Sequence, residues 1–399
     1  MSSWDLIFVL PNLSLGRRSP FLSTSAAIVG AAQARTMVAD SAANRTGLQM
    51  LERFSTAHGE PVPCSCLVVR QDALGARPHA DALQAFRNAC AVAAVVSCKA
   101  KQLAAPAGCQ GVVDHSDAFD FYYLAPTTDG AALGALPHGV QGERPLLGFR
   151  GQCDPRLGSA NRFDVTVDEK LLGRLLACWE MRFIERSDNE ALIRVGRSIT
   201  AAFHAARVPA DGVVTIEDRG FRLGLWVTAF ECLLHPGSAD IIKEGVVLKF
   251  LKDGMSWRVK ELAKQDREVV LGGAKLKKPA AGKNEKASWP QQIYDDLYTA
   301  RCASMHGEAV DGDLLFAARS SSKGVYLGHL AAALFACVLR DFIDKRAPAA
   351  APAPATGDAG QRTAGRSASA RRTMERLKDG RTFEDALTAA RVSIDDVRS

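Results

Sequence analysis

From Asp168 to Lys345 the apolar residues recur every three or four positions, the spacing that gathers them on one side of a helix. Leu171, Leu172, Leu175, Leu176 and Trp179 form the first stripe. Ile193–Ala206 is a second predicted helix. Phe221–Leu234 is a third, with Leu223, Trp226, Val227, Phe230 and Leu234 on one face and His235-Pro236-Gly237 as its stop. Ile241–Phe250 and Trp257–Ala263 are shorter apolar segments. Ser288-Trp289-Pro290 opens a further helix, because serine caps a helix start and proline is tolerated in its first turn. A long apolar helix over Val325–Ile343 closes the series. Residues 168–346 therefore read as an all-α domain, most simply a helical bundle.

The stretch before it has another grammar. Asp5–Leu15, Cys64–Arg70 and Phe119–Leu124 are short β-branched or aromatic runs bounded by turn formers, which predicts strands. Ala80–Gln102 is alanine-rich without Pro or Gly and predicts a helix. Residues 125–162, rich in Gly, Pro and Arg, read as loops. The sum is an α+β N-terminal domain over 1–165, and 399 residues suffice for two domains with real cores. Residues 347–372 are Ala, Pro, Gly, Ser and Arg, including Arg362, Arg366, Arg371 and Arg372, and read as a basic disordered linker. Residues 373–399 recover apolar spacing, with Asp379-Gly380 breaking two short helices. That short helical C-terminal tail is either a small helix-turn-helix-like module, with little core to fold alone, or a segment that docks on the body or on a partner.

Composition narrows the classes of function. A net charge of +6 permits a polyanionic partner without requiring one. The 10 cysteines show no framework and the start lacks the pattern of a secretory signal, so reduced thiols and a cytoplasmic location are expected. Ala89–Val96 and Leu330–Leu339 are too short to span a bilayer, so no membrane partner is expected. Cys64 and Cys66 lack a second close pair and read as packed thiols rather than zinc ligands. Gly272-Gly273 lacks the spacing of a phosphate loop. Asp114-His115-Ser116-Asp117 reads as a solvated turn, since triads are assembled from separated segments. Neither a metal nor a cofactor is expected.

The chemistry-bearing residues concentrate at the end of the helix opened by Ser288. Arg301 and His306 lie five apart, about 140° around a continuous helix, and so share no face. Gly307 then marks a helix end, where the imidazole can fold back beside the guanidinium. A permanent cation with a group that exchanges a proton near neutral pH suits work on a phosphodiester. Arg301 pairing with Asp295 or Asp296 and His306 capping the helix are the plain readings. Arg53 and His58 repeat the spacing, and Arg197 and His204 are seven apart on one side of an earlier helix, a surface stripe that can hold RNA if it borders the cleft. Tyr298 precedes Arg301 by three and either lines the cleft or packs in the core. Lys275, Lys277, Lys278, Lys283 and Lys286 give a cationic segment before this helix, either a solvated loop or a collector of phosphates.

The order of these helices resembles the HEPN superfamily, in particular its Apea-like branch. Ala229-Phe230-Glu231-Cys232-Leu233-Leu234 resembles that branch's aliphatic-Glu-aliphatic helix, and Tyr298 to Gly307 resembles its Tyr-x-x-Arg-x-x-x-x-His-Gly signature. The likeness covers about 180 residues. Many active members carry a polar residue directly after the arginine, where this chain has Cys302. The resemblance implies an all-α HEPN-like bundle, a homodimer and metal-independent RNA cleavage. His306 would act as general base or acid and Arg301 would hold the phosphate. Attack by the 2′-hydroxyl would leave a 2′,3′-cyclic phosphate. Glu231 would be a buried partner of Arg301 or an exposed helix residue. The resemblance alone also suggests a toxin or antiviral role, with a protein or phage trigger acting through the N-terminal domain. Two other functions suit the same residues: a non-catalytic module binding RNA, a nucleotide or a protein, and a structural dimerisation domain.

Overall fold

The computed structural model describes residues 4–11, 21–22, 25–52, 54, 64–73, 80–104, 115–116, 122–127, 130–135, 144–145, 167–207, 215–235, 237, 243–269, 285–306, 312–317, 324–347 and 382–398. They form two compact units, one spanning 1–94, 110–192 and 349–361, the other 95–109, 193–348 and 362–399. The architecture is α+β.

The first unit is built on an antiparallel sheet. Its strands are β1 (Trp4–Pro11), β2 (Phe21–Leu22), β3 (Ala26–Gly30), β4 (Cys64–Arg70), β5 (Tyr122–Thr127), β6 (Gly130–Ala135) and β7 (Arg144–Pro145), in the order β2-β3-β4-β1-β5-β6-β7. Successive strand residues point to opposite faces, yet Phe8, Val9 and Leu10 are all buried, as is every residue from Cys64 to Val69. Both faces of the central strands are therefore covered. Helices α1 (Ala31–Met37), α2 (Ala42–Leu51) and α4 (Glu169–Phe183) belong to this unit, as does most of α3 (Ala80–Ala104). Asn44 on α2 accepts from the Leu6 amide at 3.0 Å. Trp179 on α4 donates its indole N–H to the Ala82 carbonyl at 2.7 Å, with its ring against Phe86. The stripe that begins at Asp168 thus packs in the first unit, whereas its spacing had joined it to the helices that follow. β1, β4 and α3 fall where the sequence predicts them. The hairpin β5–β6 corrects the loop expectation for residues 125–162: Ala131 to Ala135 has no β-branched residue, and cross-strand pairing with β5 makes it a strand.

The second unit is predominantly helical: α5 (Glu190–Ala205), α6 (Ile216–Leu234), α7 (Lys243–Lys249), α8 (Lys260–Ala263), α9 (Trp289–Met305), α10 (Leu327–Arg346) and α11 (Thr382–Arg398). Each of the helices expected in this stretch is present. Both long central helices start on capping boxes, Thr215 with Asp218 for α6 and Ser288 with Gln291 for α9. Gly237 takes φ +87, a conformation open to glycine, just after α6 ends. Phe230, Tyr294 and Phe335 are fully buried where α6, α9 and α10 meet. A short pair of strands, β8 (Arg267–Val269) and β9 (Glu285–Ala287), is an addition to the expected all-α domain. Among the described residues the tail forms the helix α11, packed on α10 with Phe383, Ala386 and Leu387 fully buried. Residues 348–381, with the expected linker and the Asp379-Gly380 break, lie outside the described residues.

Candidate functional site

Helices α6 and α9 run antiparallel and unusually close. Gly220 faces Ser304, Gly224 faces Arg301, and Phe230 meets Tyr294 with ring centroids 5.4 Å apart. Gly220, Gly224 and Glu231 share one face of α6, because positions four and eleven apart return to the same side. A Cβ on Gly220 would stand 2.1 Å from the Ser304 hydroxyl oxygen, so only glycine lets the helices approach this far. Closeness places the Arg301 stem beside Gly224 and directs its long side chain along α6 to Glu231.

Arg301 donates from Nη1 to Glu231 Oε1 at 3.2 Å. Glu231 is 6% exposed and the arginine side chain 26% exposed. The carboxylate is thus held in the protein while the guanidinium reaches the surface. Its carbon lies 5.5 Å from the centre of the Tyr298 ring, within cation–π range. Among the described residues the Glu231 bond is its one hydrogen bond, which leaves four of the five donors of the fork for a ligand. Tied back on one side and stacked below, the group is pre-oriented for bidentate contact with an anion.

Beneath it lie buried polar side chains. Tyr294 is fully buried and its hydroxyl has no hydrogen-bond partner among the described residues. Burial, then the charges of Glu231 and Glu244, push its pKa well above the ordinary tyrosine value. Tyr298 is also raised, first by burial and then by Cys302 and Glu244. Both phenols therefore stay protonated near neutral pH. Glu244 on α7 is buried.

His306 takes the C-cap position of α9, its amide donating to the Cys302 carbonyl at 3.1 Å. Its side chain is exposed and makes no contact with Arg301 among the described residues. The expected fold-back of the imidazole beside the guanidinium is corrected accordingly, for Arg301 is drawn along α6 to Glu231. Glu231, and neither Asp295 nor Asp296, is the acid that Arg301 bonds. Tyr298 is both packed, at 8% exposed, and part of the site. Arg197 and His204 are exposed on α5, which is held to α6 by a bond from Ser198 Oγ to the Ala229 carbonyl at 2.7 Å. No contact joins either to Arg301 among the described residues. Lys275, Lys277, Lys278 and Lys283 lie outside the described residues, as do Arg53, His58, Asp114, Asp117, Gly272, Gly273 and Gly307, while Lys286 is exposed in β9.

Two large apolar side chains are exposed beside the tightest contact of the helix pair. Phe221 follows Gly220 and is 56% exposed; Met305 follows Ser304 and is 57% exposed. Sequence reasoning passed over Gly220, Gly224, Ser304, Glu244 and Tyr294. The legible signal was a pair of glycines four apart inside a helical pattern, which asks for a packing reason.

The thiols of Cys64 and Cys66 are packed, as expected of two cysteines that lack a second close pair. Cys64 and Cys66 are buried in β4, and burial pushes Cys66 up to about 12. Among the described residues no cluster of His, Cys, Asp or Glu could hold a metal ion, and no helix is long and apolar enough to cross a membrane. The chain matches no family model, no curated protein and no solved structure.

Proposed function

We propose that the second unit is an HEPN-like domain and that the Arg301 site acts on RNA, cleaving it without a metal. One observation carries this reading: a surface guanidinium tied to a buried glutamate on the facing helix and stacked on a tyrosine one turn back, with its other donors unused among the described residues. RNA supplies its own nucleophile, the 2′-hydroxyl, so the protein must remove one proton and oppose charge growing on phosphorus. Arg301 supports the second task, since a fixed cation at the non-bridging oxygens is worth more in the transition state than in the ground state. His306, exposed at the helix end, is the general base or acid. A single chain offers one such pair at this position. The exposed Phe221 and Met305 beside it support a twofold homodimer, in which two pairs would share a cleft and divide the acid and base roles. Arg197, His204 and the lysines at 275, 277 and 278 are further contacts for RNA phosphates in this reading.

The lack of contact between Arg301 and His306 favours a second reading, an RNA-binding module without turnover. Turnover and affinity separate the two. Wild type and Arg301→Ala are compared for dimer formation by sedimentation, for RNA affinity and for cleavage. Dimers in both proteins, with cleavage by the wild type alone, support the enzyme. Dimers with RNA affinity and no cleavage in either support the module. An Arg301→Ala protein that cleaves like the wild type overturns the site.

A further inference from the structure

The C-terminal helix α11 is seated in the second unit as a key is in a lock. Phe383, Ala386, Leu387 and Ala390, at helical spacing, are at most 2% exposed, whereas Val392 is 55% exposed. Glu384 is buried as well, and its two oxygens are used differently. Oε2 accepts from the amides of Arg258 and Val259 at 2.9 and 2.8 Å. Oε1 lies 3.7 Å from Nη2 of Arg340, itself buried on α10. Val259 is the N-cap residue of α8 and has no side-chain cap of its own. The glutamate therefore caps, from 125 residues away, a helix start whose amides need an acceptor. Farther along α11, the Leu387 carbonyl accepts from Trp289 Nε1 at 3.3 Å, and Arg391 donates to the Glu261 carbonyl at 3.0 Å and to Asp266 at 2.6 Å. Trp289 is the first residue of α9, the helix that carries Arg301.

We infer that α10, the start of α8 and Trp289 together form a receptor surface for one amphipathic helix with a glutamate directly after its leading aromatic, that its occupant is this chain's own α11, and that occupancy fixes the N-terminal end of α9. Each part of the surface reads a different part of the helix. Apolar contact takes the face at Phe383, Ala386, Leu387 and Ala390. The paired amides with Arg340 take the carboxylate, where a neutral side chain would leave a buried cation unmatched. The indole takes a backbone carbonyl. A segment that lifted α11 away would remove the carbonyl that the Trp289 indole donates to and loosen the first turns of α9, so the surface is also a place where Arg301's helix can be influenced from outside.

Hydrogen exchange on the full chain tests this whether or not the Arg301 site cleaves RNA. Glu384→Ala is expected to speed exchange in α11 and in residues 289–296 together, by about tenfold or more, while residues 223–234 of α6 keep their protection. Trp289→Phe keeps the apolar ring and removes only the donor, and is expected to speed the same two segments by less. A synthetic peptide of residues 378–399 added to the Glu384→Ala protein is expected to restore protection at 289–296. Release of α11 with 289–296 unchanged overturns the inference. So does equal acceleration of all three segments, or failure of the peptide to restore protection at millimolar concentration.

Discussion

Adding one methyl group to either of two glycines on α6 should move stability in opposite directions. Both lie in the same helix, and both substitutions gain the propensity of alanine over glycine, about 0.8–1 kcal/mol. At Gly224 the new Cβ would stand 3.5 Å from Arg301 Cγ, an ordinary contact, so Gly224→Ala keeps that gain. At Gly220 it would stand 2.1 Å from Ser304 Oγ and 3.0 Å from Ser304 Cβ. Turning the hydroxyl clears the first clash at the expense of its 2.8 Å bond to the Ala300 carbonyl, a loss of about 0.5–1.5 kcal/mol. The second clash stays, and the helices must separate slightly, which costs about 1–3 kcal/mol. Gly220→Ala should therefore be destabilising by about 0.5–3.5 kcal/mol net, leaving the two variants about 1.5–4.5 kcal/mol apart. Urea unfolding followed by tryptophan fluorescence and circular dichroism reads the sign directly. Gly220→Ala combined with Ser304→Gly should recover more than the sum of the single effects allows. Equal stabilisation by both alanines would refute the close approach of α6 to α9, and with it the path by which Arg301 reaches Glu231.

Three further outcomes follow from the same geometry. Arg301→Ala should cost more stability than Glu231→Ala, about 3 against about 1 kcal/mol, because the first takes the cation away from a buried carboxylate and the second leaves a guanidinium that already reaches the surface; thermal unfolding of the two proteins would show the order. Asp218 is held below the usual carboxylate range, first by the Thr215 amide and hydroxyl and then by Arg222. Its depressed pKa means that its contribution to the start of α6 is present above the unfolded carboxylate value and is lost as pH falls through the folded one. Asp218→Asn should accordingly flatten the acid limb of the stability profile. Finally, burial pushes Cys66 and Cys178 up to about 12, whereas Cys232 and Cys302 are partly exposed. Brief iodoacetamide treatment at pH 8 should label the latter pair first, read by peptide mass spectrometry, and early labelling of Cys66 would contradict the packing of β4.

What was legible in the sequence was whatever rests on local periodicity and caps. Ser288-Trp289-Pro290 announces α9 because a serine cap and an early proline act within one turn, and Phe221 to Leu234 announces α6 because one face is apolar throughout. Glu231 was visible as a residue of the right kind, but its pairing with Arg301 depends on how near two helices come, which Gly220 and Ser304 decide across a long separation. Periodicity likewise says that Leu171 to Trp179 is a helix without saying what it packs on; the indole bond to Ala82 settles that. The strand over Gly130–Ala135 has no propensity of its own and exists through its partner. Phe383, Ala386 and Leu387 were readable as an apolar stripe, whereas the role of Glu384 needed the amides of Arg258 and Val259 brought beside it.

The most direct test of the central claim is incubation of a labelled RNA of mixed sequence in EDTA with wild type, Arg301→Ala and His306→Ala, followed by analysis of the ends. The account predicts cleavage by wild type that leaves 2′,3′-cyclic phosphate and 5′-hydroxyl ends, and a loss of about a hundredfold or more in each variant. Cleavage by His306→Ala at the wild-type rate would contradict it, as would wild-type cleavage that stops when EDTA is added.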